Sequence, residues 1–261
     1  MAGEAAIIEL AAWLQTPPGR YLLAWEQAQM DAAVVDLFGF HALQLGLPEL
    51  PGLRSNRMPH RWLALQHPEQ MQSTALSAPG VALHCEFDSL PFESNSLDLV
   101  VLPHALELAP DPHQTLREVE RVLRPEGRLV ILGLNPASLW GLRQNLGQVL
   151  PGGPRLYLPQ DGDFIGYWRL RDWLRLLSFE VEAAQFGCYC PPLRSAAWLQ
   201  RWDWVEPIGA RWWPVLGAVY FIKAVKRVHG MRLIGLERKR SARRSAAPAV
   251  AVQQQHKEQG P

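Results

Sequence analysis

Four groups of residues in this chain have types and spacings that suit chemistry. Asp36 closes the apolar run 32–37 (AAVVDL), and Phe38, Gly39, Phe40 and His41 follow it. A buried strand followed by a loop would set that loop at the strand's carboxyl end, where open α/β sheets bind ligands. The plainer alternative is an acid that merely ends a strand. His104 follows the apolar run 97–102 (LDLVVL) and Pro103. An imidazole titrates near neutrality, so His104 is a candidate general base, with a hydrogen-bonded structural histidine as the alternative. Cys188 and Cys190 flank Tyr189, but no second cysteine pair accompanies them and His229 is far away in sequence, so no metal site is expected. Trp198, Trp202, Trp204, Trp212 and Trp213 make an aromatic belt. Such a belt either meets a lipid surface or packs as core and lid, and core and lid is the preferred reading.

The elements that must position these residues alternate along the chain. Residues 4–15 carry Ile7, Ile8, Leu10 and Leu14 at helical spacing, and Thr16-Pro17-Pro18-Gly19 stops that helix. A second helix is predicted over 20–30 and a short one over 42–46. Strands are predicted over 32–37, 61–65, 81–85, 97–102, 128–132, 179–186 and 219–225. Asp111 and Pro112 open a helix as its cap and first helical residue. Leu116, Val119, Val122 and Leu123 form its apolar stripe, Glu120 and Arg124 are spaced for an ion pair, and Pro125 ends it. Residues 134–159 are rich in Gly and Pro and read as an irregular cover over the sheet's carboxyl edge. Further helices are predicted over 170–177 and 195–204. Strands and helices in this order give a doubly wound α/β fold with right-handed crossovers.

The bulk properties narrow the field. The chain has 261 residues, is 48% hydrophobic and carries a net charge of +1, enough for one sizeable core and too balanced to be steered as a whole toward nucleic acid. The charge is uneven: residues 237–261 hold six Lys/Arg against two acids. That stretch lacks periodicity and is predicted to be a disordered basic tail. The three cysteines make no disulfide framework, and no signal peptide or membrane-spanning run is evident, so a cytoplasmic protein is expected.

Residues 90–132 (LPFESNSLDLVVLPHALELAPDPHQTLREVERVLRPEGRLVIL) carry a resemblance. An acid-x-x-x-Leu-Pro-Phe turn at 86–92, a hydrophobic-Asp-hydrophobic strand at 97–101 and an Arg-Val-Leu-basic-Pro-x-Gly-Arg turn at 121–128 together resemble the central motifs of class I S-adenosylmethionine-dependent methyltransferases. More narrowly they resemble the type-11 group, which includes quinone-biosynthesis methyltransferases. The resemblance implies a mostly parallel, Rossmann-like seven-stranded sheet with an antiparallel last strand. It implies S-adenosylmethionine as cofactor. Asp36, Gly39 and Phe40 would border its methionine part, Gln66 its ribose, and Glu86 and Phe87 its adenine. Leu102, Pro103 and His104 would lie where sulfonium and substrate meet, with His104 the candidate catalytic residue. Residues 1–31 would cover the pocket, 32–236 would form the methyltransferase domain, and a small or lipid-like acceptor would bind under the Trp-rich segment.

The sequence also departs from that pattern. The family reads acid-x-Gly-x-Gly-x-Gly after its first strand; counted from Asp36, Phe38, Phe40 and Ala42 fill the glycine positions. A non-glycine residue held at positive φ costs on the order of 1–2 kcal/mol. Gln66 stands near where an acid would grip the ribose hydroxyls, and an amide does so less strongly. A catalytically inactive binding or regulatory module on the same fold is therefore the alternative function. A dinucleotide dehydrogenase is disfavoured, because its phosphate loop needs glycines absent here. No nucleic-acid partner is expected, and contact with a membrane surface is the secondary reading.

Overall fold

The computed structural model describes residues 10–66, 81–149, 157–158 and 164–227. The predicted tail at 237–261, the first residues of the 4–15 helix and His67 lie outside the described residues. Seven strands form one sheet: β1 (His41–Leu45), β2 (His60–Leu65), β3 (Val81–His84), β4 (Leu97–Pro103), β5 (Leu123–Leu134), β6 (Phe179–Gly187) and β7 (Val219–Lys226). Their order is β3-β2-β1-β4-β5-β7-β6. β1, β2, β3, β4 and β5 pair in parallel. Only β7 runs antiparallel to its neighbours β5 and β6. The expected fold, a doubly wound sheet with an antiparallel last strand, is the fold observed.

Helices cover both faces. Around the sheet lie α1 (described over 10–14), α2 (Pro17–Val34), α3 (Ala105–Leu108), α4 (Pro112–Val122), α5 (Leu139–Val149), α6 (Tyr167–Leu176), α7 (Ala196–Arg201) and α8 (Val205–Trp212). β4 shows why two layers are needed: every residue in it is buried. Leu99 and Val101 pack with Leu22, Met30 and Val34 of α2, while Val100 and Leu102 pack with Leu116 and Val119 of α4 and Leu170 of α6. Successive strand residues point to opposite faces, so each face needs its own helices. Removing one such leucine costs roughly 2–5 kcal/mol.

The start of the sheet differs from the sequence expectation. Residues 32–37 are not the first strand; α2 runs on through Val34. Its buried face is spaced by four, at Leu22, Glu26, Met30 and Val34, and this stripe carries Ala32-Ala33-Val34 into the helix despite the β-branched valine. Thr16 caps α2, accepting from Gly19 N at 3.4 Å, with Pro17 at the first turn. The helix therefore crosses the expected 31/32 domain boundary. The first strand is His41–Leu45, where a short helix was predicted. Further on, 139–149 within the predicted irregular segment is α5, and the predicted 195–204 helix is the shorter α7, with α8 beginning after it at Val205.

One predicted ion pair also differs. Glu120 and Arg124 do not pair with each other: Glu120 Oε1 lies 2.9 Å from Nζ of the buried Lys226, and Arg124 pairs with Asp98. α4 ends at Val122, so Arg124 is outside the helix that would have held it one turn from Glu120. The ion pair on α4 itself is Glu118–Arg121 at 2.8 Å.

Candidate cofactor cleft and its surroundings

The carboxyl ends of β1 to β4 converge on one cleft. Gly46 follows β1, Gln66 follows β2, Phe87 follows β3 and Pro103 ends β4; Leu47, Glu49, Ala105 and Leu108 complete the wall with Leu10 of α1. This is the ligand edge of an open parallel sheet. Gly46 has φ +73° and Leu47 φ +44°, two successive residues in the left-handed region. Glycine is used at the first for its backbone freedom, since an added Cβ would meet the Phe87 ring at an ordinary 3.6 Å.

Gln44, inside β1, builds the loop behind Gly46. Its Nε2 faces the carbonyls of Gly46, Leu47 and Leu50 at 3.1, 3.0 and 2.8 Å, and its Oε1 accepts from Gly52 N at 2.9 Å. With β1 at 41–45, the strand end and the turn after it fall on Gln44 to Gly46 and not on Asp36 to Phe38. Sequence reasoning missed Gln44 and Gly46 because it set the strand nine residues early. The signal was present: Leu45-Gly46 follows a five-residue run directly ahead of a Pro- and Gly-rich loop.

The sequence-predicted residues divide between two edges. Gln66, Phe87 and Pro103 line the cleft. Glu86 sits just past β3 and is exposed, and Leu102 is fully buried in the core beneath Pro103. Asp36, Gly39 and Phe40 lie before β1, at the sheet's amino edge, and are not brought to the cleft. There Asp98, at the start of β4, accepts from Phe40 N at 2.7 Å and His41 N at 2.9 Å. Gly39 approaches so closely that an added Cβ would lie 2.5 Å from Asp98. The loop that the sequence placed against the cofactor is a structural turn around a buried carboxylate.

His104 adopts φ +54° and turns its ring away from the cleft into a buried cluster. Nε2 lies 2.8 Å from Glu26 Oε1 and Nδ1 2.7 Å from Glu107 Oε2. Glu107 Oε1 also accepts from Leu134 N. Burial alone pushes the imidazole down, but the two carboxylates outweigh it and hold its pKa well above the usual histidine value. For Glu26, burial pushes the carboxyl up more than His104 pulls it down. A histidinium donating from both ring nitrogens has no lone pair to accept a proton. The two carboxylates favour the charged imidazole, and the geometry makes His104 a buried link that joins α2 to the end of β4. Of the residues lining the cleft, Glu49 is the titratable one, and burial raises its carboxyl.

The Trp-rich segment is not core. Trp198, Trp204, Trp212 and Trp213 are 52, 58, 70 and 56% exposed, because α7 and α8 are short and bury little beyond Leu199 and Gly209. Beneath α7, a second groove between it and α2 is lined by Pro17, Arg20, Tyr21, Leu199, Gln200 and Asp203. Cys188 and Cys190 are free and buried. Among the described residues, no group of three or more His, Cys, Asp or Glu is arranged around a metal position.

The residues at this cleft are of the types that could hold an adenosyl cofactor. They supply a left-handed glycine turn, an amide at the end of β2, and apolar walls at Leu47, Phe87 and Pro103. Comparison with known proteins agrees. The profile described as a methyltransferase domain matches residues 57–131. The chain is 34% identical to the uncharacterized protein YafS of Escherichia coli (strain K12) over 177 residues, 67% of each chain. It is 41% identical over 54 residues to the demethylmenaquinone methyltransferase of Chlamydia pneumoniae, 21% of this chain and 24% of that one. Among solved structures it resembles the methyltransferase in complex with the Haloferax volcanii Trm112 methyltransferase activator, with TM-score 0.60 and 19% identity over 85% of this chain and 97% of that one. It also resembles a methyltransferase of Thermotoga maritima that depends on S-adenosylmethionine, with TM-score 0.56 and 14% identity over 79% and 92%. At these identities the structural likeness concerns the fold.

Proposed function

That the chain carries a methyltransferase domain on the fold of S-adenosylmethionine-dependent methyltransferases is the premise from which we propose its reaction, methyl transfer to a small, lipid-like acceptor of the quinone-precursor class. The observation that carries the reading is the convergence of Gly46, Gln66, Phe87 and Pro103 from four adjacent strand ends on one cleft. When bound, the cofactor supplies an electrophilic methyl group on a sulfonium. The chain's own residues bind and shield. Gly46 lets the backbone approach the ligand. Gln66 offers donor and acceptor to a diol. Phe87, Pro103 and Leu47 exclude water, which strengthens the polar contacts that remain. The groove between α2 and α7 is the proposed acceptor entrance, apolar at Pro17 and Leu199 and polar at Arg20, Gln200 and Asp203. Where the acceptor carries a proton at its nucleophile, Glu49 is the base. The quinone class is supported by the likeness to the demethylmenaquinone methyltransferase. The three free thiols support a reducing, cytoplasmic compartment.

Calorimetric titration with S-adenosylmethionine and its demethylated product tests the reading, and absence of binding at millimolar ligand overturns it. A second reading, a binding module that has lost the cofactor, is favoured by Gln66, an amide near where an acid would grip the ribose hydroxyls. Mass spectrometry separates the two: an adenosyl ligand copurifying with the chain removes the second.

A further inference from the structure

The carboxyl edge of the sheet carries an apolar surface that the cleft does not use. Half of the large apolar side chains exposed among the described residues fall within 198–216, four of them tryptophans. Three more, Leu139, Leu142 and Leu146, are exposed along α5 at the spacing of one helix face. Both segments leave or enter the sheet at the edge that holds the cofactor cleft, α5 after β5 and 188–218 between β6 and β7. They are also tied together. Trp140 Nε1 donates to Cys190 O at 2.8 Å, and Asn135 Nδ2 donates to Val215 O at 2.8 Å and Gly217 O at 2.9 Å. An exposed apolar surface of this extent marks an interaction site.

Its charge says which kind. Between 194 and 216 the cations Arg194, Arg201 and Arg211 are all exposed. The acids are Asp203 and Glu206, and Glu206 faces inward, accepting from Tyr21 Oη and from Tyr189 N at 2.7 Å. The outward face is thus tryptophan and arginine with one acid. Tryptophan rings sit at headgroup level with an apolar body and a polar N–H, and arginines beside them attract anionic lipid. Both helices are short, as suits a surface that lies in the interface plane, and among the described residues no helix is long and apolar enough to cross a membrane.

We propose that the Trp198–Trp213 surface docks the protein on an anionic lipid bilayer, bringing the groove between α2 and α7 to the membrane from which an apolar acceptor would be drawn. Docking rests on this surface alone and does not depend on methyl transfer.

The test is flotation of the full chain with vesicles of phosphatidylcholine, with and without phosphatidylglycerol, with no cofactor added. The chain is expected to float with the anionic vesicles, and brominated acyl chains are expected to quench its tryptophan emission. The double variant W212S/W213S is expected to lose at least about tenfold in partitioning, and R201Q/R211Q about fivefold per arginine at low salt. Residues 228–261 stay in every sample. Equal flotation of W212S/W213S and the parent chain overturns the proposal, because binding then comes from charge elsewhere. Absence of flotation overturns it too, as does a concentration-dependent dimer whose tryptophan emission ignores lipid, which assigns the surface to a second copy. If W212S/W213S does not fold, the arginine variant and lipid quenching of the parent chain decide.

Discussion

Glu26, halfway along α2, holds its Oε1 2.8 Å from Nε2 of His104, 78 residues further along the chain. A carboxylate in the apolar stripe Leu22–Met30–Val34 is tolerable only because a cation meets it. That cation is supplied by a left-handed residue at the end of β4, and Glu107 completes its coordination from the other side. Burying three ionisable groups adds little net stability, but breaking such a cluster is costly. The pairing ties α2 to the residue between Pro103 and Ala105, two of the cleft's wall residues.

His104→Ala leaves two buried carboxylates without their partner, and we expect a loss of about 3–5 kcal/mol in urea unfolding. The pH dependence has a definite sign. A histidine whose folded pKa is raised gives stability that is full below its unfolded value of 6.5 and is lost as pH climbs through the folded value. Glu26, also raised, acts in the same sense above 4.5. The neighbouring Cys188 and Tyr220 are held up by burial and by these same carboxylates, and so stay neutral across the range. Thermal unfolding between pH 6 and 9 should therefore show a falling midpoint, and His104→Gln should flatten it. A midpoint that rises across this range in the parent chain contradicts the assignment.

Gln44→Ala strands the amide of Gly52 and the carbonyls of Gly46, Leu47 and Leu50. Each buried group left without a partner costs about 1–3 kcal/mol. The chain should lose stability by that order and should also bind S-adenosylmethionine more weakly, because the loop facing the ligand loosens. Calorimetry and chemical unfolding on the same variant check both effects. Loss of stability with unchanged affinity would place the loop outside the ligand site.

Gly46→Ala is a sharper probe, because space is not the issue. An alanine at φ +73° pays about 1–2 kcal/mol in backbone strain, while its Cβ meets Phe87 at an ordinary distance. If the ligand needs this turn, the dissociation constant should rise by about tenfold, the equivalent of 1.4 kcal/mol. Titration of the folded variant decides it, and an unchanged constant removes Gly46 from the site.

How far the sequence alone carried can be seen in particular residues. The strands predicted at 97–102 and 128–132 were legible because the apolar runs 99–102 and 129–132 have few alternatives in an α/β chain, whereas the start of β5 at Leu123 was read as a helix end and turn. Asp111 and Pro112 announced α4 with a cap and a first-turn proline. The start of the sheet was hidden for two physical reasons. The run Ala32 to Leu37 is short, apolar and holds an acid near its end, so it looked like a strand rather than the last turn of α2. His41 and Gln44 put polar atoms in a central strand, so β1 looked like a helix. Glu26 is explained by a contact that no local window contains, with His104 78 residues on, and Gln44 by the loop it holds two to eight residues ahead. The exposed tryptophans were misread for the opposite reason, since spacing shows a helix face but not what covers it.

The last prediction separates the two edges of the sheet. Asp36 reads as a ligand in sequence, but it precedes β1, on the same side as Asp98 and far along the strands from Gly46. Asp36→Asn should leave the affinity for S-adenosylmethionine unchanged. Asp98→Ala should behave differently from both. It removes the acceptor for Phe40 N and His41 N and the partner of Arg124, a loss of about 2–3 kcal/mol for hydrogen bonds to a buried charge. Its effect on ligand affinity, measured well below the unfolding temperature, should nevertheless be small, because β1 transmits its register and not its amino-end contacts to Gly46. If Asp36→Asn abolishes binding while Gly46→Ala does not, the cofactor lies at the amino edge and the cleft at the ends of β1 to β4 belongs to another ligand.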